Sequence, residues 1–234
     1  MEALVDLHNH SCLSPCGSLE MSPKILAETA AALKIRILAL TDHNSARNLP
    51  AFRICCMNNG ILPVFGLEIT SAEEAHVVGL FGDLDTALEM GEYVESRLPT
   101  IKGDAHLFGD QIWVDENEFI LGETSKALFA ATDLSIDDIV EAVHRRRGIV
   151  FPAHIDRPVF SIVMQLGFLP DLPYDAVECV NPGCSIDTLG LPVITNSDAH
   201  YPEDIGKRPT RWELDEISWE GLKRALQKMR KAER

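Results

Sequence analysis

The sequence has no long hydrophobic run. None of its apolar stretches approaches the roughly 18 consecutive residues that a membrane-spanning helix needs. Its first residues also lack the basic segment and the cleavable apolar stretch of a secretory signal peptide. We therefore expect a cytoplasmic protein without a membrane partner. The 234 residues, of which 46% are hydrophobic, are enough to bury a core.

Positive charge is scarce. Lys and Arg total 21 against 36 Asp and Glu, so the formal net charge is −15. A footprint on duplex nucleic acid needs clustered basic residues, and the only compact basic run, 145–147, stands at the end of a predicted helix. We therefore expect no duplex nucleic acid partner. An acidic chain can still bind a phosphorylated ligand if metal ions supply local positive charge.

The sequence also lacks Cys-x-x-Cys pairs and glycine-rich phosphate-binding motifs. Its six cysteines are predicted to be free thiols in a reducing compartment. No GxGxxG or GxxxxGK follows a predicted strand, which argues against an open nucleotide-binding sheet.

Short apolar runs do alternate with amphipathic stretches through most of the chain. About seven such units predict an α/β barrel or a closed parallel sheet, with an open doubly wound sheet as the second possibility. The alternation breaks at 99–124, where "QIWVDENEFILGE" predicts a β-hairpin insertion. No linker divides the chain, so residues 1–234 are predicted to form a single domain.

Residue types that ligate metals recur where the predicted strands end. In a βα barrel these ends converge on one face, where active sites are built. Side chains at positions i and i+2 of an extended segment point the same way, so a pair such as "HNH" can enter one site together. The candidates are His8, His10, His43, Glu68, His76, His154, Asp198 and His200. His106, in the insertion, and His144, on a predicted helix, are expected to be non-ligands.

This set is too large for one ion, because a tetrahedral zinc takes four ligands. The sequence therefore predicts two or three divalent ions that share carboxylates. Mixed imidazole and carboxylate ligands suit zinc, manganese or iron. Asp6 and Asp42 each stand close to a candidate histidine, and they either orient an imidazole or have ordinary surface or capping roles.

The ordered motifs "DLHNHS", "LTDHN", "GLEIT", "AHVVGL", "PAHIDRP" and "NSDAH" resemble the PHP (polymerase and histidinol phosphatase) family over nearly the whole chain. The resemblance implies a distorted (β/α)7 barrel that hydrolyses phosphoesters with two or three divalent ions. It also implies that the eight residues above are metal ligands. Cys16 departs from the family pattern, since many members have Asp or His there, and it either ligates an ion as thiolate or leaves one position weaker.

The resemblance leads to a hypothesis for the reaction. A metal-bound hydroxide attacks phosphorus, and His200 or His43 protonates the leaving group. Arg157 can clamp a phosphate in bidentate fashion, and Arg47 is a second candidate for this role. Asn181 either lines the pocket or belongs to a turn.

The substrate is expected to be a phosphorylated small molecule, such as histidinol phosphate, a nucleotide, or a short single-stranded oligonucleotide. Two other classes of function stay open. One is an amidohydrolase-type metal hydrolase, and the other is a metal-stabilised module without catalytic activity. No feature of the sequence indicates an oligomeric state.

Overall fold

A computed structural model of the protein describes residues 1–101, 109–181 and 183–232. Six α-helices occur in this part of the chain: α1 (Pro23–Ala32), α2 (Leu49–Asn58), α3 (Leu84–Ser96), α4 (Ile136–Arg145), α5 (Ile162–Leu166) and α6 (Trp219–Ala232). The strands are β1 (Glu2–Asp6), β2 (Ile35–Leu40), β3 (Leu62–Thr70), β4 (His76–Phe81), β5 (Ile112–Val114), β6 (Ile120–Glu123), β7 (Ile149–Pro152), β8 (Val177–Glu178), β9 (Val193–Ile194) and β10 (Thr210–Glu213). Within the described residues, no helix is both long and apolar enough to cross a membrane.

The main sheet is a curled half-barrel with the strand order β10-β1-β2-β3-β4-β7. A parallel pair, β8 and β9, stands between β7 and β1. Its flanking segments hydrogen-bond to both sides, through Ile155 N to the Glu178 carbonyl (2.8 Å) and Asp198 N to the His8 carbonyl (2.8 Å). This arrangement confirms the expected α/β fold of the distorted (β/α)7 barrel type.

The distortion lies in the directions of two strands, β4 and the edge strand β10, which pairs antiparallel with β1. β1, β2 and β3 are parallel, but β4 runs antiparallel to both of its neighbours, β3 and β7. The cause is the connection after β3, which spans only residues 71–75 and is too short for a helical crossover. The expectation of a wholly parallel sheet therefore fails at β4 and at β10.

Both faces of the main sheet are buried, which explains the nearly continuous apolar sequences of its strands. Along β2, Ile37 and Ala39 pack on one face, while Leu38 and Leu40 pack on the opposite face against the helices. Phe151 and further apolar side chains pack on the same face as Ile37 and Ala39. The burial on both sides fixes the register of each strand, because a shift by one residue would exchange the two faces.

The predicted hairpin insertion is confirmed by the antiparallel pairing of β5 with β6. Trp113 lies over Gly122, where a Cβ atom would come within 2.2 Å of the indole ring. Val114 N donates to Asn48 Oδ1 (2.9 Å), which attaches the hairpin to the barrel. His106 lies outside the described residues. The assignment of residues 1–234 to a single domain stays a prediction.

Helix α4 begins at a complete capping box. Ser135 Oγ accepts from Asp138 N (3.2 Å), and the Asp138 carboxylate accepts from Ser135 N (3.0 Å). The helix ends at Arg145, so the basic run extends from its last turn, as the sequence predicts.

We expect Ser135→Ala to lower the melting temperature by about 2–4 °C, because losing an N-cap costs about 1 kcal/mol in a domain of this size. Scanning calorimetry of the metal-loaded protein measures this shift. Ser135→Thr keeps a capping hydroxyl and is the matched control. Equal melting temperatures for the Ala and Thr variants would contradict the prediction.

Candidate metal centre

The eight residues predicted as ligands meet at one edge of the barrel. Most follow the carboxyl ends of strands or lie near them, and His76 opens β4. Its position at the same edge follows from the reversed direction of β4, because the start of this strand lies beside the end of β3. Bridges between Asn9 and Ala199 and between His43 and Glu68 hold the segments beyond the strands together.

The Glu68 carboxylate lies at the centre of the cluster, 1% exposed. Its Oε1 atom is 2.8 Å from His76 Nδ1 and 3.1 Å from His154 Nε2. Its Oε2 atom lies 3.1–3.4 Å from nitrogens of three further imidazoles, those of His8, His10 and His43. One carboxylate therefore faces five histidines.

Asp198 forms the second carboxylate of the cluster. Its Oδ1 atom is 3.2 Å from His10 Nε2 and 3.4 Å from His8 Nε2. Its Oδ2 atom lies 2.6 Å from an Arg157 guanidinium nitrogen. His200 is half-buried at the same edge, with Nδ1 3.5 Å from Asp198 Oδ1. Asp198 thus connects the buried imidazoles with a cationic side chain nearer to solvent.

Three overlapping groups of these residues have ligand atoms within 4.8 Å of one another. The groups are His10, His43 and His200; His8, His10, Glu68 and Asp198; and His43, Glu68 and His76. Shared members are typical of adjacent ions joined by a carboxylate. The cluster is therefore able to bind metal, while the identity of the metal and the number of ions stay predictions.

The unsatisfied atoms of the cluster fit a cation. Asp198 Oδ1 and His43 Nδ1 are buried, and neither makes a hydrogen bond of good geometry within the described residues. A buried polar atom without a partner costs free energy, and divalent ions bound in the ligand groups to which these residues belong would satisfy each atom. The donor set of nitrogen and oxygen atoms suits zinc, manganese or iron.

Glu178 is a buried carboxylate that the sequence analysis missed. Its Oε2 atom lies 2.9 Å from His8 Nδ1 and accepts from His154 N (3.0 Å). Its Oε1 atom accepts from Asn196 Nδ2 (3.0 Å). With the His8 Nδ1 proton directed to Glu178, Nε2 is left free to face the cluster. An acidic residue inside the apolar run "AVECV" was the available signal.

Glu178 also supports a strained backbone. His154 has φ +30°, a left-handed conformation that costs free energy for a non-glycine residue. The hydrogen bond from its amide to Glu178 holds this conformation. A single carboxylate therefore orients two members of the cluster, one through the ring and one through the main chain.

The two aspartates considered for orienting roles differ. Asp42 accepts from both Ser11 and Ser14, and the Ser14 hydroxyl lies 2.9 Å from His10 Nδ1. Asp42 therefore acts on the His10 ring through Ser14. Asp6 instead accepts from Ser197 N (3.0 Å), so it fixes main chain next to Asp198 rather than an imidazole.

The protonation of the cluster is uneven. Burial lowers the pKa of His43 well below its usual value. Burial, reinforced by the charge of His10, lowers the pKa of His200 to about 4. Burial also opposes protonation of His8, but the neighbouring carboxylates, Glu178 foremost, raise its pKa well above the usual value. Since an imidazole ligates metal only when the ligating nitrogen is free, ion binding at His8 must displace a proton.

A polar cavity of about 330 Å³ opens beside the cluster. Asp198 and His200 lie on its inner side, and Arg157, Lys207 and Arg208 line it as well. Three cationic side chains therefore border the metal-binding residues of an acidic protein. Such a cavity can receive an anionic group that also reaches the cluster.

Of the other predicted site residues, Arg47 lies outside the cluster and Cys16 lies at the cavity. Both Arg47 Nε and Nη2 donate to Glu95 (2.9 and 2.7 Å), and the guanidinium lies over Trp113, so it could bind phosphate only if this pair opened. Cys16 is exposed, lines the cavity and is not in the three ligand groups. Its role as a ligand stays a prediction.

Asn181 and His144 have contacts outside the cluster. Asn181 donates to Asp156 from its backbone and side-chain nitrogens (2.9 and 3.1 Å), which is the turn role. His144 Nε2 lies 3.2 Å from Asp175 on the outside of the barrel, which agrees with its prediction as a non-ligand.

Solved structures share this fold. The lesion-specific endonuclease Q of Pyrococcus furiosus is 20% identical, with a TM-score of 0.72 over 97% of this chain and 56% of that chain. A protein from Bifidobacterium adolescentis, proposed to be a metal-dependent phosphoesterase, is 18% identical, with a TM-score of 0.63 over 95% of both chains. An amidohydrolase from Chromobacterium violaceum is 21% identical, with a TM-score of 0.56 over 96% of both chains.

A second endonuclease Q structure with this fold contains duplex DNA. An endonuclease Q complex with a 27-mer duplex that carries an abasic lesion at the active site has a TM-score of 0.70 and 20% identity, over 97% of this chain and 57% of that chain. The present chain thus spans little more than half of endonuclease Q. The exclusion of duplex nucleic acid from the partners is wrong, because net charge is a sum over the molecule, whereas binding depends on the charge of one face.

We expect Glu178→Gln to weaken metal binding about 10- to 100-fold, since the replacement changes the hydrogen-bond partner of His8, a predicted ligand. Competition with a chromophoric chelator, with zinc or manganese added to the stripped protein, gives the dissociation constant. Glu203→Gln, at an exposed position, is the matched control. An unchanged dissociation constant in folded Glu178→Gln protein would refute the positioning role.

Two family profiles match the sequence. The PHP domain profile matches residues 6–196, and the PHP-associated profile matches residues 186–230. The first match contains six of the predicted ligands, and the second contains Asp198 and His200. Among curated proteins, none matches the sequence significantly. Since the first profile alone covers most of the chain, the protein belongs to the PHP domain family.

Proposed function

We propose that the protein is a metal-dependent phosphoesterase whose substrate is a nucleotide or nucleic acid phosphate ester. The observation that carries this proposal is the position of Arg157, whose guanidinium lies 2.6 Å from Asp198 at the boundary between the ligand cluster and the cationic cavity. A phosphoryl group entering the cavity would meet the guanidinium and the metal-binding residues together. Its negative charge would be compensated from two sides.

Some residues of the site would bind the ions and the phosphate, and one would transfer a proton to the leaving group. Divalent ions, when bound, lower the pKa of a coordinated water and neutralise phosphoryl oxygens. The eight predicted ligands would hold these ions, and Glu68, which belongs to two of the ligand groups, would contribute to both. Arg157 would hold a non-bridging oxygen and orient phosphorus for in-line attack.

The cavity geometry favours His200 over His43 as proton donor to the leaving group. His200 lines the cavity and is half-buried, whereas His43 is buried within the cluster. A proton donor must come within hydrogen-bond reach of the leaving oxygen, which arrives through the cavity. His200 is therefore the better placed of the two to donate this proton, provided that its ring does not bind an ion; because burial lowers the pKa of His200 to about 4, it would carry the proton only at acidic pH.

The other two cations of the cavity have structural partners. Arg208 donates to the carbonyls of Asn196 (3.1 Å) and Ser197 (2.7 Å), so it supports the chain that leads to Asp198. Lys207 pairs with Asp204. Both add positive potential to the cavity, while Arg157 is the side chain in direct contact with the cluster.

Metal removal should abolish phosphate ester hydrolysis, and reloading with zinc, manganese or iron should restore it. The substrates to compare are a nucleoside 3′,5′-bisphosphate, a 5′-phosphorylated oligonucleotide, a duplex with an abasic site, and histidinol phosphate. His8→Ala is the control for contaminating phosphatases. Hydrolysis of amides but of no phosphate ester would overturn the proposal in favour of an amidohydrolase, and full metal loading without turnover would favour a non-catalytic module.

Arg157→Ala should lower kcat/KM about 10- to 100-fold on the substrate that the panel identifies, because a hydrogen bond to a charged group contributes about 1.5–3 kcal/mol. Steady-state kinetics of the loaded enzyme measures this ratio. Arg145→Ala, on the exposed side of α4, is the matched control, since Arg145 pairs only with Glu141 within the described contacts. Equal kcat/KM values for the two variants would show that Arg157 does not bind the phosphate.

A further inference from the structure

The loop of residues 154–160 connects two sides of the cluster of predicted ligands. At its start, Arg157 N donates to the His154 carbonyl (2.9 Å). At its end, the Phe160 carbonyl accepts from His76 N (2.9 Å). The loop is therefore anchored to one cluster member at each end. Its conformation is set by the same residues that would hold the ions.

This loop places two different side chains against the cluster. The Arg157 guanidinium reaches Asp198. The Phe160 ring stacks on His76, with ring centroids 4.8 Å apart and an interplanar angle of 8°. The cluster is thus flanked by a cation on one side and by an aromatic ring on another, both from a single short loop.

Phe160 is held there at a cost in stability. Its φ of +55° lies in the left-handed region, which a bulky residue seldom adopts. Although one ring face covers His76, the residue is 44% exposed, so its burial contributes little to the core. Strained and exposed residues beside a site are found where function needs them.

The surface next to Phe160 is also apolar. Val159, Met164 and Phe168 are 58%, 59% and 61% exposed. Met164 lies on α5, and Phe160 and Phe168 stand just before and just after this short helix in the chain. Of these exposed apolar side chains, Phe160 is the one in contact with the cluster, through its stacking on His76.

We propose that Phe160 is a stacking platform for an unpaired nucleobase of the substrate, with Arg157 contacting the phosphate of the same or the adjoining nucleotide. This inference rests on the proposed function and names its substrate class. A phenyl ring offers a π-face to every base, so the contact selects for the presence of a base rather than its identity. The base must be unstacked, as in a single strand, a free nucleotide, or a nucleotide extruded from a duplex.

Binding to the metal-loaded protein tests the platform without requiring turnover. The probe is a phosphorothioate-linked trinucleotide with 2-aminopurine at its centre, whose fluorescence falls when the base stacks. An otherwise identical trinucleotide with an abasic centre is used as a competitor. We expect Phe160→Leu to weaken probe binding about 5- to 150-fold, the range for loss of one stacked base, and to leave the competitor constant unchanged.

Two further variants make the outcome decisive. Phe160→Tyr keeps an aromatic ring and should keep wild-type affinity. Phe119→Leu removes a more exposed aromatic ring, on the hairpin, and should change neither constant. If Phe160→Leu weakens the probe and the abasic competitor equally, the ring merely supports His76 and the platform is refuted. It is also refuted if the wild-type protein binds both trinucleotides alike.

The failure of this inference differs from the failure of the proposed function. Phosphate ester turnover that does not depend on a base at Phe160 would overturn the platform alone. Base-dependent binding of the trinucleotide without hydrolysis of any phosphate ester would overturn the phosphoesterase and leave the platform in place.

Discussion

The pairing of one buried carboxylate with several imidazoles is the constraint on which the rest of the molecule depends. Glu68 lies inside β3, and an unpaired charge there would be strongly destabilising. The nitrogens around it come from four other places in the chain: the segments after β1, β2 and β7 and the start of β4. The carboxylate is compensated only when these strand ends converge. Formation of the barrel and assembly of the site are therefore one process.

The reversed strand β4 is what makes the cluster complete. In a wholly parallel barrel, the first residue of a strand lies at the amino-terminal face, away from the site. Because the connection from β3 is short, β4 returns antiparallel and places His76 opposite Thr70, at the edge where β3 ends. The irregularity of the fold thus brings a predicted ligand to the cluster. The same edge receives Phe160, whose carbonyl bonds to the amide of His76.

Charge in this protein is organised locally. The net charge of −15 describes the whole chain, yet the cavity beside the cluster is lined by Arg157, Lys207 and Arg208. Carboxylates lie inside the cluster, where they are able to bind metal, and cations line the cavity outside it. Arg208 connects the cationic cavity with the ligand cluster, because it donates hydrogen bonds to the carbonyls of the two residues that precede Asp198. A single-stranded or double-stranded polyanion can approach such a face, whatever the net charge of the whole protein.

The sequence by itself determined the α/β alternation, the hairpin, the family and the eight residues that meet at one edge, because strand ends in a barrel share a face and their polar residues are visible against apolar runs. Only the tertiary structure decided the direction of β4, the pairing of Arg47 with Glu95 and the role of Glu178. These depend on contacts between residues distant in the chain, which periodicity does not encode: Glu178 meets His8 across 170 residues.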